Sequence, residues 1–175
     1  MRKIRLIALA LCAVVLLITG CGEKPPVKVP DGYKIASDDS ADYYFFVPTN
    51  WVVDIKAAAT SAYVSAVDPA SVSVMTWSST NSDATLAAWW DSFKPDVEKV
   101  YDHFAVETEE DMLVDKCAAR SVVYTGSIGG TEYRFRQIST IKGGVIYVLT
   151  YTNVAANYED HAADFTDMVD FFLFK

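Results

Sequence analysis

Hydrophobic and polar residues alternate with a period of two along most of this chain, and the spacing changes to threes and fours in only two places. Tyr43-Tyr44-Phe45-Phe46-Val47 is aromatic and β-branched and reads as a strand. Pro48-Thr49-Asn50 turns it, and Trp51 to Ile55 returns. Shorter or weaker strand runs are Tyr33 to Ile35, Ala62 to Val67, Ser71 to Trp77 and Phe104 to Thr108. Ser73, Thr76 and Ser78 interleave with Val72, Val74 and Trp77, which predicts one wet face there. The last third is the most regular. Ala118 to Thr125, Thr131 to Ile141 and Val145 to Thr152 are strands, with Lys142-Gly143-Gly144 as a tight hairpin turn. In the middle one Tyr133, Phe135 and Gln137 face one way, and Arg134, Arg136 and Ile138 the other.

The two helical stretches interrupt this pattern. Leu86, Trp89, Trp90, Phe93, Val97, Val100 and Tyr101 form one apolar face, with Ser82 or Asp83 as the expected cap. Pro95 lies inside that face and predicts a kink or a second start. Tyr158, Ala162, Phe165, Val169 and Phe172 form the second face, with Asn157 as the expected cap. Glu107, Glu109, Glu110 and Asp111 read as a solvated polar turn, and Gly126-Ser127-Ile128-Gly129-Gly130 as another turn. Asp38, Asp39 and Asp42 lack the glycine and closing glutamate of a calcium loop, so they also read as a solvated turn.

The start of the chain changes the picture from fold to address. Arg2, Lys3 and Arg5 precede an uncharged run from Leu6 to Ile18, too short for the roughly 20 residues of a spanning helix. Ile18-Thr19-Gly20-Cys21 then resembles a bacterial lipobox, which implies cleavage before Cys21 and a diacylglycerol on its thiol. Two or three acyl chains make membrane release slow. The expected organisation is a lipoprotein signal peptide over residues 1–20, a lipidated cysteine and proline-rich extended tether over 21–32, and one domain over 33–175. That places the domain at the extracytoplasmic face of the cell membrane. Without the three leader cations, 12 Lys plus Arg stand against 23 Asp plus Glu, a formal charge of −11. Such a charge excludes nucleic acid as a partner. Of the three cysteines only Cys117 remains for the domain, so no internal disulfide is expected, and a buried structural thiol is its expected state.

The strands also carry a family pattern. Tyr44-Phe45-Phe46-Val47-Pro48 followed by Trp51, the run Tyr133 to Ile141, the Gly143-Gly144 hairpin, Val145 to Thr152 and the closing Tyr158, Phe165, Val169 and Phe171-Phe172 together resemble the PsbP-like superfamily. The resemblance implies an α+β fold, an antiparallel β-sheet sandwiched between helices. Bacterial members are often small lipoproteins, and photosystem members dock on a membrane complex and assist its metal cofactor. None of their metal-contacting positions carries over to this chain, so no metal and no cofactor is expected. Between Val114 and Ala119 the family pattern expects glycine, where this chain has Lys116-Cys117.

Candidate chemistry is sparse. No nucleotide-binding glycine loop, serine elbow, zinc His pair or paired-cysteine motif is present in the sequence. His103 and His161 are far apart in sequence, and His161 sits among Glu159, Asp160 and Asp164. Arg120, Arg134 and Arg136, the only arginines after the leader, lie on neighbouring strand runs. They read either as a basic row for a carboxylate or phosphate or as partners of the protein's own acids. Trp51, Trp77, Trp89 and Trp90 read as core or as a stacking platform. Three functions follow in order. The first is a non-enzymatic binding or assembly module at a membrane complex. The second is a small-molecule or metal-binding protein or enzyme with a cleft near Arg134 and Arg136. The third is an envelope carbohydrate binder using exposed tryptophans.

Overall fold

The computed structural model describes residues 27–56, 59–78 and 85–175. Its strands are β1 (Tyr33–Ile35), β2 (Tyr43–Tyr44), β3 (Phe46–Pro48), β4 (Val52–Lys56), β5 (Ala59–Tyr63), β6 (Ser71–Ser78), β7 (Asp102–Val114), β8 (Cys117–Ile128), β9 (Thr131–Lys142), β10 (Val145–Val154) and β11 (Leu173–Phe174). The helices are α1 (Leu86–Glu98), between β6 and β7, and α2 (Ala162–Asp170), before β11. Seven strands form one sheet in the order β4-β5-β6-β10-β9-β8-β7, with every neighbouring pair antiparallel. The fold is α+β, with α1 against one face and α2 with the short strands β1 to β3 against the other.

β10 explains the layering. It lies mid-sheet, and both its faces are covered, so it reads as a nearly continuous apolar run. Tyr147, Leu149 and Tyr151 join Trp51, Phe165, Met168 and Phe172 in the core under α2. β9 follows the expected alternation, with Phe135 in the smaller core under α1, beside Trp90, Val97, Val122 and Tyr124. Ile138, on the opposite face of β9, belongs to the α2 core.

Several boundaries differ from the sequence pattern for physical reasons. The run Tyr43 to Val47 is split. β2 pairs with the C-terminal β11, while β3 pairs with β1. The weak strand expected to begin at Ala62 begins earlier and stops at Tyr63. Glu107 to Asp111 is not a turn. It continues the long edge strand β7, with register shifts near residues 102–105 and 106–108, and its acids discourage further strand pairing at that edge. Gly126, Ser127 and Ile128 likewise belong to β8, and only Gly129 and Gly130 turn, both with positive φ. The expected caps Ser82 and Asp83 lie outside the described residues. α1 is capped by Thr85, whose Oγ1 accepts the Ala88 N–H at 3.1 Å. α1 runs on through Pro95 to Glu98. The second helical run breaks at His161 into a 3-10 turn over Ala155–Asp160 and α2 proper. Asn157 therefore does not cap α2; its carbonyl accepts from Asn153 Nδ2 at 2.7 Å.

The β7–β8 hairpin resolves the missing glycine. Val114 pairs with Cys117, and the two turn residues Asp115 and Lys116 have φ of 44° and 67°. The backbone thus takes the two-residue turn that glycine favours, with side chains present. Asp115 Oδ2 accepts the Phe174 N–H at 2.9 Å, which ties the turn to the C-terminus. A non-glycine residue in this region costs on the order of 1 kcal/mol. Lys116→Gly is therefore expected to raise stability by roughly 0.5–1 kcal/mol, read as a higher urea midpoint at unchanged slope. A lower midpoint would show that the Lys116 side chain stabilises the turn.

Candidate functional site

The three arginines are brought to neighbouring strands but not to one row. Arg120 lies on the α1 face of β8, opposite Asp111 in register. Its Nη2 meets Glu109 at 2.5 Å and its Nη1 meets Asp111 at 3.0 Å. Arg134 and Arg136 lie on the α2 face of β9. Arg134 binds Glu107 and Glu159, each at 2.8 Å, and lies over the Tyr158 ring at 4.4 Å. Arg136 donates to Ser121 at 3.2 Å and Thr166 at 3.1 Å, with Glu110 at 3.8 Å. The acids of β7 thus serve both faces of the sheet and neutralise all three cations.

The tryptophans divide as well. Trp51 and Trp90 are buried core residues. Trp77 and Trp89 are half-buried in a cluster with Phe93, in which Trp89 and Phe93 stack at 5.0 Å. Cys117 is a free, half-buried thiol, and His103 is exposed on β7. Among the described residues no group of three His, Cys, Asp or Glu side chains could hold a metal ion.

His161 has a structural setting. Nδ1 lies 3.0 Å from Asp164 and Nε2 3.1 Å from Asp68, and Trp51 packs edge-on at 5.6 Å. It clips the start of α2 to the turn between β5 and β6. Burial pulls its pKa down, but the hydrogen bonds and charges of Asp164 and Asp68 outweigh this, so the pKa stands above its ordinary value. A group raised on folding contributes stability that is fully present below its unfolded pKa of about 6.5 and is lost as pH rises through the folded pKa. The urea midpoint is therefore expected to fall as pH rises from below about 6.5, and His161→Gln to flatten that slope. An equal slope in wild type and variant would assign it to other groups.

The arrangement with binding capacity lies on the other face. α1 buries Trp90 and Val97 against β8 and β9, and its Trp89 and Phe93 reach Trp77 on β6. A cleft of about 430 Å³ opens between this helix and the sheet. Its floor includes Ser73, Thr150 and Gln137, which are direct partners across β6, β10 and β9. Phe93, Tyr101 and Phe135 are among its aromatic walls. Phe135 lies 4.8 Å from Tyr101 and 4.9 Å from Tyr124, forming a packed aromatic wedge under the end of α1. Burial raises the hydroxyl pKa of both Tyr101 and Tyr124, so both remain neutral in the ordinary pH range. The single wet face expected on β6 is not formed, because successive side chains alternate: Ser73 faces the cleft with Met75, while Thr76 and Ser78 lie on the opposite face with Val72 and Val74. The site itself was not legible in sequence. Ser73, Thr150 and Gln137 are far apart in the chain, and only strand register makes them one row.

Comparison with solved structures locates the architecture. The cyanobacterial PsbP protein (CyanoP) of Synechocystis sp. PCC 6803 superposes with a TM-score of 0.63 and 16% identity, covering 89% of this chain and 99% of that one. The chain has the PsbP-like fold. A Pseudomonas aeruginosa protein of unknown function matches with a TM-score of 0.57 and 16% identity over 79% of this chain and 94% of its own. The Ran-binding protein Mog1p of Saccharomyces cerevisiae matches at 0.55 and 8% identity over 78% and 83%. No protein-family model and no curated protein sequence matches the chain. At these identities the PsbP-like architecture is shared, while the side chains of the cleft belong to this chain's own sequence. No helix among the described residues is long and apolar enough to cross a membrane.

Proposed function

We propose that this chain is an extracytoplasmic lipoprotein, held on the membrane through Cys21, whose PsbP-like domain is a non-enzymatic binding module working through the cleft under α1. The observation that carries the reading is a partly roofed aromatic cleft with a row of hydrogen-bonding side chains across its floor. Small-molecule sites have this character, a mostly apolar enclosure of about 300–1,000 Å³ with a few placed polar groups. The floor offers an amide and hydroxyls, groups that bind and orient. Acid, base and nucleophile chemistry needs a titratable group beside its partner, and the floor row supplies neither. The same fold in yeast Mog1p belongs to a Ran-binding protein, which agrees with a binding use of this architecture. The leader pattern and the Gly20-Cys21 junction support the anchor.

Met75 lines the cleft and is 42% exposed, so it can carry a probe without loss of core packing. With a photoreactive benzoylphenylalanine at position 75, irradiation of the intact chain in its own membrane is expected to give one dominant adduct. Cys21→Ala is expected to leave the membrane fraction and lose labelling by an alkyne fatty acid. The anchor is refuted if Cys21→Ala stays membrane-bound. The binding reading is refuted if position 75 yields no adduct in the anchored protein.

A further inference from the structure

The cleft floor presents a polar side chain to which no described residue gives a hydrogen bond. Gln137 is 4% exposed, and among the described residues no hydrogen bond reaches its side-chain amide. Among the described residues the enclosed side-chain atoms without a partner are Trp51 Nε1, Trp90 Nε1 and Arg120 Nε, so the Gln137 amide opens onto the cleft, where water or a ligand completes its hydrogen bonds. Its cross-strand neighbour Thr150, and Ser73 beyond it, also offer hydroxyls that no described residue engages. One amide and two hydroxyls therefore run in line across the floor, each able both to donate and to accept. The surrounding wall is aromatic, supplied in part by Phe93, Tyr101 and Phe135. Flat rings favour a flat occupant, which gains offset stacking or edge contacts beyond simple burial.

Charge narrows the class further. Among the described residues Asp96 is the only charged one lining the cleft, and it pairs with Lys99 at 2.8 Å with both side chains largely exposed. An anionic ligand would lose hydration there and find no cation among the described residues of the floor. The primary amide of Gln137 pairs best with a group that presents a carbonyl and an N–H side by side. We propose that the cleft takes an uncharged, planar ring compound bearing a carboxamide, lactam or imide edge, which pairs reciprocally with Gln137 and is steadied by Thr150 and Ser73. This deepens the binding reading above and rests on it.

The test uses the full chain in detergent micelles, with empty micelles subtracted, and three probes sharing one ring system: 2-naphthamide, 2-naphthoate and 2-methylnaphthalene. 2-Naphthamide is expected to shift the Gln137 side-chain NH₂ resonances and to bind at least about tenfold more tightly than either of the other two, the factor that one satisfied buried hydrogen bond supplies. Gln137→Leu is expected to bring 2-naphthamide down to the level of 2-methylnaphthalene while keeping or raising the unfolding midpoint. Thr150→Val provides a second variant with a smaller loss of the same kind. Equal binding of 2-naphthoate, full binding by a folded Gln137→Leu, or saturable binding by none of the probes overturns the assignment. If the probes fail while position 75 still captures an adduct in membranes, the ligand class is wrong and the binding reading stands. If both fail, both fall.

Discussion

Phe172→Ala is expected to lower the unfolding free energy by about 3–5 kcal/mol, the range for truncating a fully buried aromatic. Domains of this kind hold only about 5–15 kcal/mol in total, so the variant should be close to its threshold of stability. The size of the effect follows from what the ring touches. Phe172 is fully buried and stacks on Tyr43 at 5.3 Å, with Phe174 edge-on at 5.1 Å and Phe45 at 6.4 Å. Tyr43 in turn hydrogen-bonds Thr60 of the main sheet through its hydroxyl at 2.9 Å. Phe172 therefore joins the tail of α2, the β2–β11 pair and the sheet. Its removal leaves a cavity that these neighbours can close only by loosening β11 from β2. The expected readout is a large drop in urea midpoint together with faster hydrogen exchange at the paired residues Leu173 and Tyr44. Leu173→Ala is the control. That side chain is 37% exposed, and a loss below about 1 kcal/mol is expected for it. A Phe172→Ala midpoint within the error of wild type would contradict the packing described.

Gly126→Ala is expected to cost about 1–3 kcal/mol, the usual penalty of overpacking, and to reshape the cleft. A Cβ at this position would stand 2.6 Å from Tyr101 Cβ and 2.9 Å from its Cγ. The obstructing atom is a Cβ rather than the tip of a flexible side chain. Relief therefore requires the backbone between α1 and β7 to move. Tyr101 packs on Phe135 and lines the cleft, so the displacement should appear as shifts of the Tyr101 and Phe135 resonances and as weakened probe binding. A double-mutant cycle separates this close approach from any general strand penalty. In a Tyr101→Gly background most of the cost of Gly126→Ala should vanish, because the atom it would strike is gone. An unchanged cost in that background would place the penalty in the strand itself.

Gly126 also shows where sequence reading stops. In the series Gly126-Ser127-Ile128-Gly129-Gly130 three glycines look alike, yet Gly129 and Gly130 form a turn with positive φ while Gly126 sits within a strand against an aromatic ring. Composition separates a turn from a strand only on average. It carries no information about which side chain arrives from elsewhere. The acids of β7 illustrate the same point. As a local run Glu107 to Asp111 looks like a solvated turn. Opposite Arg120, Arg134 and Arg136 it becomes a charged edge strand.

Local spacing alone determined much of this protein. The period of two through Thr131 to Ile141 and Val145 to Thr152 specified strands and their faces, because a pleated backbone sends successive side chains to opposite sides. The three-and-four spacing from Leu86 marked α1, while the PsbP-like fold that the structure has was implied not by spacing but by a family resemblance running from Tyr44 to Phe172. Tertiary structure alone decided the rest. Which arginine faces which acid, why β2 leaves β3 to pair with β11, and how Ser73, Thr150 and Gln137 come to form one row all depend on strand order and register. Those are long-range quantities, set by which faces must be buried together, and no short window of sequence contains them.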